Sequence, residues 1–169
     1  MSTQESNGEE GPDVRKAVIV PAARDEAFRI LTGYPAEWLP PGHTFISDPA
    51  AVIMEPRAGG RFYERAADGT EVTRGTITEW APPGRLVVTW RVGPGWRPVF
   101  DDERASLIEV DFTAAGAGAT EVAFTYTELH RHGEMAGVIR GALASQEPGE
   151  TLERYAAVVA RHARPDDGA

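Results

Sequence analysis

The chain has 169 residues and a formal net charge of −9, with four histidines, one lysine and no cysteine. Its excess of carboxylates excludes the clustered cations that nucleic acid or an anionic membrane surface needs, and the lack of thiols removes disulfides, thiolate metal sites and cysteine nucleophiles. No apolar run approaches the roughly 20 residues that span a bilayer and the N-terminus lacks a basic-then-apolar leader, so a cytoplasmic location is the expectation.

Residues 1–13, MSTQESNGEEGPD, bury too little apolar area to offset the cost of ordering and are read as a disordered acidic tail. One domain is expected over residues 14–164, with residues 165–169 as a second disordered end. Val14 to Val20 predicts a strand, and Pro21-Ala22-Ala23 opens a helix carrying Ala27, Phe28, Ile30 and Leu31. Prolines and glycines then break the chain around Trp38 and Phe45, which suggests a short second helix and a loop before a strand at Ala51 to Glu55. From Gly59 to Trp90 three antiparallel strands follow, GGRFYERA, TEVTRGTITEW and RLVVTW, reversed at Ala67-Asp68-Gly69 and Pro82-Pro83-Gly84. An irregular loop with Trp96 leads to strands at Ser106 to Thr113 and Glu121 to Leu129, making about seven. A helix from about His132 to Ala144 puts Met135, Val138, Ile139, Ala142 and Leu143 on one face and spaces Gly133, Gly137 and Gly141 four apart. Pro148 suits the first turn of a last helix, whose apolar stripe is Leu152, Tyr155, Ala156, Val159 and Ala163 and whose solvent face holds Glu150, Glu153, Arg154 and Arg161.

The phrases GGRFYE, DGTE, RLVVTW, WRP, RASLIEVDF, ELHRHGE and PGETLERYAAV resemble the activator of Hsp90 ATPase homologue 1-like family, a bacterial branch of the START/Bet v1-like (SRPBCC) superfamily. The resemblance implies an α+β helix-grip fold: a curved antiparallel sheet of about seven strands gripping a long C-terminal helix, with two short helices after the first strand. It also places function in the space between sheet and helix.

Strand phase decides what lines that space. Val122, Phe124, Tyr126 and Glu128 share one face of the last strand, assigned inward. By the same rule Ile108, Val110 and Phe112 point in, as do Leu86, Val88, Trp90 and Val92, while Phe62, Glu64, Gly75 and Ile77 complete the wall. From the helices Met135, Ile139, Leu152 and Tyr155 face it. This lining of aliphatic and aromatic groups with a few polar ones is the composition of a small-molecule pocket. Glu64 and Glu128 read either as a carboxylate pair for acid–base work or as rim groups met by water or arginine; Tyr126 reads either as a donor to a ligand carbonyl or as core. Arg74 falls on an outward phase, and Trp80 is out of phase with Ile77, covering the outer sheet or an interface. The glycines of the penultimate helix admit two readings, close packing on the sheet edge or a mobile flap.

The expected function is binding of a hydrophobic or amphipathic small molecule. The alternatives are an enzyme of the polyketide cyclase/dehydratase-like type using Glu64, Glu128 and Tyr126, and a chaperone-interaction module. No catalytic residue, metal or cofactor is assigned: His43, His130, His132 and His162 lack ligand spacing, no G-x-S-x-G elbow or phosphate loop occurs, and an imine mechanism would have to use Lys16. The expected partner is a small hydrophobic ligand, with at most a weak homodimer, and neither nucleic acid, membrane nor chaperone.

Overall fold

The computed structural model describes residues 13–40, 43–91, 101–145 and 150–162. The expectations for Val92, Trp96, Pro148, Ala163 and the terminal tails lie outside these residues, apart from Asp13. Seven antiparallel strands form one sheet: β1 (Val14–Val20), β2 (Ala51–Met54), β3 (Arg61–Arg65), β4 (Glu71–Ala81), β5 (Arg85–Trp90), β6 (Ser106–Ala114) and β7 (Thr120–Thr127). Their order is β1-β7-β6-β5-β4-β3-β2, so strands β2 to β7 form a meander and the first strand closes against the last. Leu86, Val88, Val110, Phe112, Val122 and Phe124 alternate onto one apolar face of the sheet, which curls around the core.

Helices close that face. α1 (Arg24–Gly33) buries Ala27, Phe28, Ile30 and Leu31, and α2 (Pro35–Trp38) seats Trp38, whose indole N–H donates to the Leu31 carbonyl at 2.9 Å. α3 (Ala136–Ser145) buries Ile139 and Leu143. α4 (Glu150–His162) buries Leu152, Tyr155, Val158 and Val159 and packs on β1, α1 and α2. The Tyr155 hydroxyl donates to the Ala27 carbonyl at 2.7 Å, tying the long helix to α1.

Two bulges in β4 overturn the strict phase reading. One extra residue, Arg74, sits between Thr73 (opposite Tyr63) and Gly75 (opposite Phe62); a second, Thr78, sits between Ile77 (opposite Val88) and Glu79 (opposite Val87). A bulge resets side-chain alternation. Arg74 is therefore buried rather than outward, and Trp80 joins the inner face against Phe28 rather than the outer surface. Between the bulges Gly75 has a packing reason: a Cβ there would lie 1.9 Å from the Thr89 carbonyl oxygen.

The segment after β7 also departs from the expectation. The strand stops at Thr127, Glu128 takes a left-handed conformation (φ 57°), and residues Leu129–Met135 form 3-10 turns broken at Gly133 (φ 64°, ψ −128°) before α3 begins. Val138 is 61% exposed instead of sharing the buried stripe of Ile139 and Leu143. A methyl group at Gly137 or Gly141 would meet nothing within 4 Å, so these glycines are not there to permit close packing. Arg154 is also not a plain solvent residue: its Nε donates to the Trp38 carbonyl at 3.3 Å, at the end of α2.

Candidate functional site

The inner face differs between its two ends. At one, Leu86, Phe112 and Val122 are buried under Phe28, whose ring meets Trp80 edge-on at 5.0 Å and Phe112 at 5.1 Å. At the other, Trp90 and Ile108 share the inner face and Met135 packs against the same core, yet all three remain part-exposed. Cross-strand register brings Trp90 opposite Ser106, and Ile108 opposite both Val88 and Tyr126. A run of aromatic contacts follows, Trp38 to Phe124 at 6.4 Å, Phe124 to Tyr126 at 6.4 Å, Tyr126 to Trp90 at 5.7 Å and Trp90 to His132 at 5.9 Å.

Polar groups are sparse within this run. Tyr126 is buried, and that burial pushes its phenol well above the ordinary range, so the hydroxyl keeps its proton. It makes no hydrogen bond to another described residue. His132 Nε2 lies 2.7 Å from Oγ of Ser106, which is fully buried at the start of β6. Lys16 lies opposite Phe124 on the inward phase of β1, and burial lowers its ammonium from the usual value.

The two carboxylates singled out by sequence do not pair with each other. Glu64 is fully buried and accepts from the amides of Phe45 (2.9 Å) and Ile46 (2.7 Å) and from Arg74, which also donates to the His43 carbonyl at 3.0 Å. Arg74 lies over the Phe45 and Phe62 rings, and its Nε has no hydrogen-bond partner; burial pulls its guanidinium down while Glu64 holds it up. Glu64 is thus committed to fixing the 43–46 loop onto β3 and β4. Glu128, past the strand end, is half-exposed and sits 3.5 Å from His130 and 3.8 Å from Arg131. No acid–base carboxylate pair exists at this position.

Of the expected lining, Trp90, Ile108, Phe124 and Tyr126 are brought together, with Met135 packed on the same core. Phe62, Ile77, Val88, Val110, Ile139, Leu152 and Tyr155 are buried in the apolar core. Ser106 and His132 were missed as a pair. Ser106 shares the inward phase of Ile108 and Val110, a polar residue on an apolar row, and that irregularity was the available clue. Among the described residues no group of three or more His, Asp or Glu side chains is placed to hold a metal ion, and no helix is long and apolar enough to cross a membrane.

The sheet gripping a terminal helix, with an aromatic, weakly polar inner face, is the architecture of a START-like domain. The family model described as "Activator of Hsp90 ATPase homolog 1-like protein" matches residues 22–157, and the chain belongs to that family. A solved structure titled an anthrahydroquino-gamma-pyrone synthase, Txn09, is 49% identical, covering 89% of this chain and 98% of its own, with a TM-score of 0.62. The self-sacrificing resistance protein CalC of Micromonospora echinospora is 27% identical over 91% of this chain and 98% of its own, at a TM-score of 0.63. Protein NE0264 of Nitrosomonas europaea, at 15% identity over 90% and 96% of the two chains and a TM-score of 0.64, shares the fold. The comparison with curated proteins gave no match.

Proposed function

We propose that the protein binds a planar polycyclic aromatic molecule of the anthrahydroquinone class between sheet and C-terminal helix, and closes a γ-pyrone ring on it. The observation that carries this reading is the 49% identity to the γ-pyrone synthase over nearly the whole of both chains. The inner face supports it: Trp90, Phe124 and Tyr126 offer flat apolar surfaces, and Tyr126 offers a protonated hydroxyl that fits a quinone or ketone oxygen. The carboxylates contribute no acid–base pair, because Glu64 is held by Arg74 and Glu128 lies beyond the strand. Alizarin (1,2-dihydroxyanthraquinone) is a test probe: saturable quenching of tryptophan fluorescence is expected, weakened by Trp90→Ala. No saturable binding to the intact protein would overturn the reading.

A further inference from the structure

We infer that Lys16 is the cationic anchor of this site, pairing with an anionic oxygen of the polycyclic ligand, either a carboxylate or an ionised ring hydroxyl, and so selecting acidic members of that class. The inference rests on the reading above and deepens it by naming the charge the ligand carries.

Lys16 interrupts an apolar row. Val14, Lys16, Val18 and Val20 share the inner phase of β1 and are buried or part-buried, whereas Arg15, Ala17 and Ile19 between them are exposed. Both α3 and α4 pack on this strand, so its inner phase borders the space between sheet and helices. In the β1–β7 ladder Lys16 stands opposite Phe124 and Val14 opposite Tyr126. The lysine and the tyrosine are therefore diagonal neighbours on one face, at a spacing of about 7–8 Å that a long side chain can cross. Phe124, whose ring centroid lies 6.4 Å from that of Tyr126, adjoins both.

The protein supplies this ammonium with no counter-charge. Lys16 makes no hydrogen bond or ion pair with another described residue, and burial, unopposed by a carboxylate, lowers it from its ordinary value. The other cations nearby are committed: Arg15, on the opposite face of β1, engages Glu121, and Arg74, on the inner face, engages Glu64. Tyr126 also donates to no described residue, so the two side chains present an ammonium beside a phenol that keeps its proton. Two donors over an aromatic floor suit a flat molecule with an anionic oxygen next to a carbonyl, and the charge-assisted bond to the ammonium is the stronger of the two.

Anthraquinone-2-carboxylate and its uncharged carboxamide separate charge from shape, and quenching of tryptophan fluorescence reads both. The intact protein should bind the carboxylate about tenfold tighter than the amide; Lys16→Met should lose that preference, Lys16→Arg should keep it, and Arg15→Met should match the intact protein. Alizarin, which has ring hydroxyls and no carboxylate, tests the other source of the anion, because ionisation of a hydroxyl moves its absorption to the red. At one fixed pH near neutrality, dye bound to the intact protein should be redder than dye bound to Lys16→Met. Loss of the carboxylate preference or of the reddening in Lys16→Met supports the inference and tells the two sources apart. If neither changes, the inference falls and the binding reading stands; failure of the intact protein to bind any of the three probes overturns both. Should Lys16→Met fail to fold, the unsubstituted protein decides. Lys16 is the only lysine, so reductive 13C-dimethylation, which keeps the charge, gives one side-chain signal besides that of the N-terminal amine. That signal should shift on addition of the carboxylate or alizarin and not of the amide, and a signal unmoved by saturating amounts of both overturns the assignment.

Discussion

Arg74 donates to Glu64 across the inner face of β3 and β4, and the same carboxylate accepts the amides of Phe45 and Ile46. One buried ion pair thus anchors the 43–46 loop onto β3 and β4. Removing either partner strands the other away from water, at a cost of about 3–5 kcal/mol. Glu64→Gln and Arg74→Ala should each lose that much in urea unfolding, whereas Glu64→Leu combined with Arg74→Met should lose less than either alone. An undiminished midpoint for Glu64→Gln would show that the pair contributes nothing.

Tyr126→Phe should leave stability nearly unchanged, since the hydroxyl makes no hydrogen bond to a described residue. Affinity for alizarin should fall about tenfold, the worth of one buried hydrogen bond. Equal affinity for the two proteins in a fluorescence titration would remove the phenol from the site.

On α3, Gly137 lies exposed with open space where a Cβ would stand. Gly137→Ala should therefore stabilise the helix by about 1 kcal/mol. If the segment is a flap, amides of Val138 to Leu143 exchange faster than those of Val122 to Tyr126, slow when alizarin binds, and slow in the variant without it. Exchange as slow as that of the core strand in the ligand-free protein would end the flap reading.

Glu37 is held by hydrogen bonds from His162 (2.8 Å) and Arg161 (3.1 Å), with the His162 ring stacked 4.0 Å from Tyr34. These bonds, the one from His162 first, keep its carboxyl below the usual value of 4.5. A lowered carboxyl contributes stability above its unfolded value and loses it as pH falls through the folded one. Glu37→Gln should be less stable than the unsubstituted protein near neutral pH, and the gap should close as pH falls below the lowered folded value. A gap that persists in acid would point to lost packing instead of lost charge.

On the proposed reading the inner face serves a small aromatic molecule rather than a protein partner, so addition of the protein to an Hsp90 homologue should not raise ATP turnover. Saturable stimulation would show otherwise.

Every strand and the C-terminal grip were legible in the sequence, since period-2 alternation, the Asp68-Gly69 and Pro82-Pro83-Gly84 reversals and the stripe from Leu152 to Val159 are local properties. The shared face of Trp90, Ile108, Phe124 and Tyr126 followed from the same alternation. What alternation cannot carry is a break in itself. Arg74 and Trp80 were misplaced because each lies at or past a bulge, and Glu128 because its strand ends one residue earlier in a left-handed turn. The Ser106–His132 contact joins residues 26 apart through a segment of irregular 3-10 turns, where no periodicity reports direction.

The two extra residues of β4 are independent inserts, each absorbed within its own bulge against a different neighbouring strand. Loss of Thr78 alone leaves Ile77 opposite Val88 and Glu79 opposite Val87 in unbroken alternation with Trp80 still inward, whereas loss of Arg74 alone keeps Gly75 inward but removes the arginine that Glu64 engages. Loss of both restores an uninterrupted ladder that keeps Gly75, Ile77 and Trp80 inward but contains no arginine for Glu64. The two extra residues are therefore unequal: β4 can lose Thr78 without turning any side chain over, but it cannot lose Arg74 without stranding a buried carboxylate, so changes of length at the first bulge are penalised by chemistry rather than by register.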